Sequence, residues 1–189
     1  MNTREEAAPV IDPEPGGRAP APGQLRLVQQ FVNTNDREAG RDSLDSPQCL
    51  QDWFTHWTGW DSTRRPTTTE HRQALVLREG LRWMAAPDVL ARPAELDQVV
   101  RDLHLQLTLA ADNFALDGPT PTGRALAPIL EAARTATADG TWSRLKVCAR
   151  DQCQWLYYDS SRNTSARWCA TDICGSREKA RRAYRRKAH

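Results

Sequence analysis

Cys148-Ala149-Arg150-Asp151-Gln152-Cys153 and Cys169-Ala170-Thr171-Asp172-Ile173-Cys174-Gly175-Ser176-Arg177 decide how the C-terminal part of this chain folds. Each stretch holds one C-x4-C pair. Thiolates are soft ligands, and four of them on two knuckles suit a tetrahedral Zn2+. Cys148, Cys153, Cys169 and Cys174 are therefore read as metal ligands. A closed four-thiolate site keeps no open coordination position, so one structural zinc ion is expected. In an oxidising compartment two disulfides would be the rival reading.

Working outward, Leu145-Lys146-Val147 reads as a strand leading into the first knuckle, and Trp155-Leu156-Tyr157-Tyr158 as its hairpin partner. A polar loop with Arg162, Asn163 and Arg167 follows. After the second knuckle, Ser176 is expected to cap a helix running to about Lys187. That helix carries Arg177, Lys179, Arg181, Arg182, Arg185, Arg186 and Lys187 against Glu178 alone. Residues 141–189 hold 12 Lys+Arg and 4 Asp+Glu, a balance of +8, against −6 for residues 1–140. Four thiolates with one Zn2+ lower the first figure to about +6.

Dense positive charge beside a metal module points to nucleic acid. The candidate contacts are Arg162, Asn163, Arg167, Ser176, Arg177, Lys179, Arg181, Arg182 and Arg185. For the three loop residues, surrounding the negative zinc cluster is an equal alternative.

Upstream, residues 1–23 contain five prolines and three glycines and little apolar surface, which reads as a disordered arm. Residues 24–140 read as a mainly α domain with a short β-hairpin. Leu27, Val28, Phe31 and Val32 have helical spacing. Ser46-Pro47 starts a second helix bearing Leu50, Trp53, Phe54 and Trp57. Thr69 opens a third to about residue 86, and Pro93 a fourth through Leu103. Leu105, Leu107 and Leu109 alternate with polar residues, the pattern of a half-buried strand, and Phe114 and Leu116 supply its partner. A last helix spans about residues 122–138 and ends near Gly140.

The chain contains no phosphate loop, dinucleotide fingerprint or base–nucleophile pair, so no enzyme is expected. Residues 1–17 lack the apolar core of a secretion signal, no stretch nears the ~20 apolar residues of a membrane span, and the reading is cytoplasmic. Cys49 and the four histidines read as structural or exposed. The tryptophans at 53, 57, 60 and 83 fit core packing better than a ligand box.

The run from Cys148 through Trp155-Leu156-Tyr157-Tyr158-Asp159, Ser161-Arg162-Asn163 and Arg167-Trp168-Cys169 to Cys174-Gly175-Ser176-Arg177 closely resembles the CGNR zinc finger, over roughly residues 142–187. Ser176 stands where that family has Asn. If the position caps the helix the change is mild; if Asn reads an adenine edge, Ser cannot replace it. Phe31-Val32-Asn33-Thr34, the Trp-bearing helix and the register into Trp142 resemble the ABATE domain that precedes such fingers. The resemblance implies a stress-linked bacterial transcription regulator, with a sensory N-terminal domain and a DNA-binding finger. Asn33 and Thr34 are candidates to line a small-molecule effector pocket, a local turn or cap being the alternative. The rival functions are an RNA- or ribosome-associated zinc protein and a protein-interaction module. Oligomeric state is left open.

Overall fold

A computed structural model describes residues 14–110 and 113–187. Among these residues the chain forms six α-helices and three two-stranded antiparallel hairpins. Helix α1 (Leu25–Asn33) runs through the middle of the fold, with every residue but Arg26 buried. Its apolar spacing accounts for Leu27, Val28, Phe31 and Val32. Its polar Gln29, Gln30 and Asn33 are buried as well.

A hairpin of β1 (Asn35–Asp36) and β2 (Arg41–Asp42), absent from the expectations above, carries the chain to α2 (Pro47–Trp57). There Ser46 Oγ accepts the Cys49 N–H at 3.2 Å, with Pro47 at the first helical position. Trp53 packs between Phe31, 5.2 Å away, and Trp57, 6.0 Å away. Phe54 and Trp60 stack at 5.6 Å, so these rings build core. Trp83 lies at the core margin, with Arg92 over its ring.

Helix α3 (Thr68–Met84) starts one residue before the expected Thr69. Thr67 and Glu70 form a reciprocal capping box, which satisfies two backbone N–H groups at once. Helix α4 (Leu96–Asp102) is shorter than Pro93 suggested; residues 91–95 form an irregular turn instead.

Strands β3 (Gln106–Ala110) and β4 (Asn113–Asp117) pair in the register Leu107↔Leu116 and Leu109↔Phe114. The alternation is correct but its burial is not. Leu107, Leu109 and Phe114 are 61, 73 and 64 % exposed, because no other element among the described residues covers that face of the hairpin. Helix α5 (Pro121–Ala138) is capped by Thr120 and ends before Gly140, which takes φ +82°.

Strands β5 (Leu145–Val147) and β6 (Leu156–Tyr158) form the third hairpin. Leu145 and Leu156 are buried in the same apolar cluster as Phe31, Leu81 and Ile129, so this hairpin belongs to the main core as much as to the cysteines. A single wide turn, Thr171–Gly175, then passes into α6 (Ser176–Lys187). No helix among the described residues is long and apolar enough to cross a membrane.

The arm expected over residues 1–23 divides. Residues 1–13 lie outside the described residues, whereas 14–23 are folded against the C-terminal module. Arg18 donates to three backbone carbonyls, Cys169 at 2.8 Å, Trp168 at 3.2 Å and Tyr158 at 3.3 Å, and lies 4.8 Å over the Tyr157 ring. Carbonyl acceptors and an aromatic face replace the apolar area that composition alone lacks. Gly16 takes φ +68°, and a Cβ there would meet Ala170 Cβ at 2.9 Å. Only glycine allows that approach.

Candidate metal centre

The two knuckles converge on one point. Cys148 leaves β5 with its N–H bonded to Trp155 O at 2.9 Å, and the tight turn that follows closes with Cys153 N–H on Arg150 O. Cys169 and Cys174 bracket the wide turn, in which the Cys174 and Gly175 N–H groups both reach Ala170 O. All four side chains are buried, and their sulfurs lie within 4.8 Å of one another. Cys153 Sγ is 3.7 Å from Cys169 Sγ, which is 3.6 Å from Cys174 Sγ.

A tetrahedron with Zn–S bonds of about 2.3 Å has edges of about 3.8 Å, whereas a disulfide needs about 2.05 Å. The donor set therefore fits a thiolate-bound zinc ion and not two disulfides. Without a cation the thiols oppose one another's ionisation. Hydrogen bonds from Cys153 and Cys169 hold Cys148 low, and Cys148 in turn pushes Cys153 and Cys169 up. A dication reverses that balance and lets all four ionise.

The surrounding shell is largely backbone and buried charge. Asp159 is fully buried, and its carboxylate takes Lys146 Nζ at 2.8 Å and the N–H groups of Ser161 and Ala166. Burial alone would raise this carboxyl, but Lys146 and the Ser161 and Ala166 bonds hold it well below the usual range. Tyr157 donates to Ala166 O at 2.7 Å, closing the loop over the hairpin.

Arg162, Asn163 and Arg167 are exposed, and none of their side chains donates to a cysteine sulfur. Arg167 instead lies 5.6 Å over the Trp168 ring. The cation that feels Cys174 and Cys153 is Arg150, which also pairs with Glu38 from the β1–β2 hairpin.

Ser176 is not a cap. Its φ of −64° and ψ of −43° are helical, its side chain is exposed, and the chain has already been winding since Thr171. Arg177 pairs with Glu38, and Arg181 and Arg182 with Glu178. Lys179 and Arg185 are exposed.

Asn33 and Thr34 are buried, and their side chains bond to the chain itself. Asn33 takes the N–H and donates to the C=O of Leu156, both at 2.8 Å, so its amide acts as an added strand partner for β6. Gln29, one turn earlier, donates to the same carbonyl at 3.3 Å and accepts the Ala21 N–H at 2.6 Å. Thr34 donates to Phe31 O and accepts from Arg78.

A second buried network, missed in the sequence, joins α3 to the first knuckle. Arg78 and Arg82 are 3 and 1 % exposed. Arg78 grips Asp42 with two bonds of 2.7 Å. Arg82 bonds Val32 O, Asn35 O, Glu79 and, in the knuckle, Gln154 O. Burial alone would raise Glu79, but Arg82 and Arg78 outweigh it and hold the carboxyl at about 2. The signal was present as two arginines at i and i+4 beside Glu79, but such a run reads equally as a solvated face.

Glu14 behaves oppositely. Its Oε2 accepts the Trp155 indole N–H at 3.0 Å while Oε1 is buried without a partner among the described residues. Burial raises this carboxyl above 4.5 despite the Trp155 bond and Arg18. A raised folded value means that the contribution is fully present below the unfolded value and is lost as pH rises through the folded one. Glu14→Gln is expected to raise the melting temperature at neutral pH and to flatten its pH dependence between mildly acidic and neutral. Parallel melts of both proteins check this; identical pH profiles would remove Glu14 from the account.

No curated protein matches the chain. Residues 144–187 match the family described as the CGNR zinc finger, and with the four-thiol cluster this identifies the C-terminal module as a zinc-binding one.

Proposed function

We infer that the protein is a zinc-dependent DNA-binding regulator of transcription, with residues 24–140 as an ABATE-type sensor in a stress response. The observation that carries the reading is α6. It has seven basic side chains in 12 residues and no buried residue, and it is joined to the module through the wide turn at its start. A solvated basic rod on a rigid metal base matches what phosphate binding requires. Its length of about 18 Å suits a major groove or a phosphate track. Sensing would pass through Arg82–Gln154, Asn33–Leu156 and Glu38–Arg177, where the two parts of the chain meet. The absence of a catalytic constellation in the sequence supports a binding role over an enzymatic one.

Glu38 also favours a second reading. By holding Arg150 and Arg177 it treats the finger as a protein-docking module. Binding of zinc-loaded full-length protein to genomic duplex fragments, with structured RNA as competitor and across salt, separates the readings. Enrichment of a short duplex motif, with affinity falling steeply as salt rises, is the expected result. Preference for RNA would replace the operator by a transcript or ribosome. No binding at physiological salt would leave the docking module.

A further inference from the structure

The basic side chains of α6 are not equivalent. Lys179, Arg182 and Arg186 follow one another at i, i+3 and i+7 and share a face. That face overhangs Trp168 and Gly175, and together with Glu178 they line an open groove of about 370 Å3. Arg177 points the other way, roughly half a turn round the helix, and is held by Glu38. The groove therefore faces away from Glu38. Glu178 lies along its edge, where it pairs with Arg182 at 3.2 Å, and the four charged groups sum to +2.

The floor has a donor of its own. Trp168 Nε1 has no hydrogen-bond partner among the described residues. Gly175 lies against that edge of the indole: a Cβ there would come within 3.1 Å of Cδ1 and 3.5 Å of Nε1. A side chain at 175 would fill the floor of the groove and cover the indole N–H. Arg167, 5.6 Å over the indole ring, adds a further cation beside the floor. An anion seat made of an indole N–H and three cations is complementary to phosphate oxygens. Lys179 and Arg186 are about 10 Å apart along the helix axis, the axial run of about three nucleotides of one strand.

We propose that a phosphodiester strand lies in this groove, contacted by Trp168, Lys179, Arg182 and Arg186, and that the far side of α6 and Arg162 do not hold it. This rests on the nucleic-acid reading above and narrows it. Trp168 and Arg186 were not among the contacts expected from the sequence.

The test is fluorescence anisotropy of the zinc-loaded full chain with labelled duplex DNA and, separately, duplex RNA, titrated against salt. Lys179→Gln with Arg186→Gln removes two exposed cations without touching the core. It is expected to weaken binding roughly tenfold or more and to flatten the salt slope by about two. Trp168→Phe keeps the ring and loses the donor; it is expected to weaken binding severalfold with the slope unchanged. Arg162→Gln with Arg185→Gln is expected to leave the slope as it was. The reverse pattern, a flat slope from Arg162→Gln with Arg185→Gln and none from the groove variant, overturns the inference while leaving nucleic-acid binding intact. Wild-type protein that binds neither duplex at low salt overturns both. The two arms assign the strand to DNA or RNA.

Discussion

Cys169→Ser is expected to take the protein from one bound zinc ion per chain toward none and to unfold the C-terminal module. The substitution keeps the size of a buried side chain and removes one of four thiolates. Metal binding supplies roughly 10 kcal/mol or more of folding free energy in small zinc modules. Around the two knuckles themselves few apolar residues can replace it. Apart from the cysteines, the cluster around the site is Trp155, Tyr157 and Ala170, with Ala166, Trp168 and Ile173 at its margin. Elemental analysis of zinc content and hydrogen exchange of residues 145–175 are the measurements. Retained stoichiometry with unchanged protection would mean that Cys169 is not a ligand. Cys49→Ser, on a helix remote from the cluster, is expected to leave both unchanged.

Arg82→Ala is expected to cost about 3–5 kcal/mol, the range for breaking one side of a buried ionic network. In a chain of this size that lowers the melting temperature by roughly 10 °C. The loss has two parts. The carbonyls of Val32, Asn35 and Gln154 lose their donor, and Glu79 loses a nearby cation that offsets its burial. Arg82→Lys is expected to recover little, because an ammonium on a flexible stem does not span the same fan of acceptors. Arg134→Ala breaks a surface pair with Glu131 and is expected to leave the melting temperature nearly unchanged. Equal effects from the two alanine variants would refute the network's role.

The same network implies acid sensitivity: Glu79, held at about 2, stabilises the fold above its ordinary range and loses that contribution as pH falls toward 2.

The sequence was legible where an apolar period or a ligand spacing carried the information. Two C-x4-C pairs located the metal centre and Ser46-Pro47 the start of α2. It was silent where polar side chains do the packing. Gln29 and Asn33 sit on a helix whose apolar stripe explains only half its burial. Their role is visible only once β6, more than 120 residues away in the chain, lies beside them. Arg18 lies in a proline- and glycine-rich segment whose composition predicts disorder, yet its partners are backbone carbonyls, which composition does not record. Leu107 and Leu109 mislead in the other direction: alternation fixes the strand but not whether anything covers its apolar face.

Leu145 and Leu156 carry one more consequence. They lie inside the span that matches the zinc finger, yet they are wedged into the helical core. A peptide cut to residues 144–187 would expose both, strip β6 of Asn33, and free the carbonyls that Arg18 and Arg82 cap. The family boundary is thus not expected to be a folding boundary. The metal and the helices are expected to melt as one cooperative unit, in which zinc affinity and the stability of α1 are linked quantities. Chelation should therefore lower the melting of the helices together with that of the knuckles. A ligand that steadies the helical part would, by the same linkage, tighten the protein's hold on its zinc.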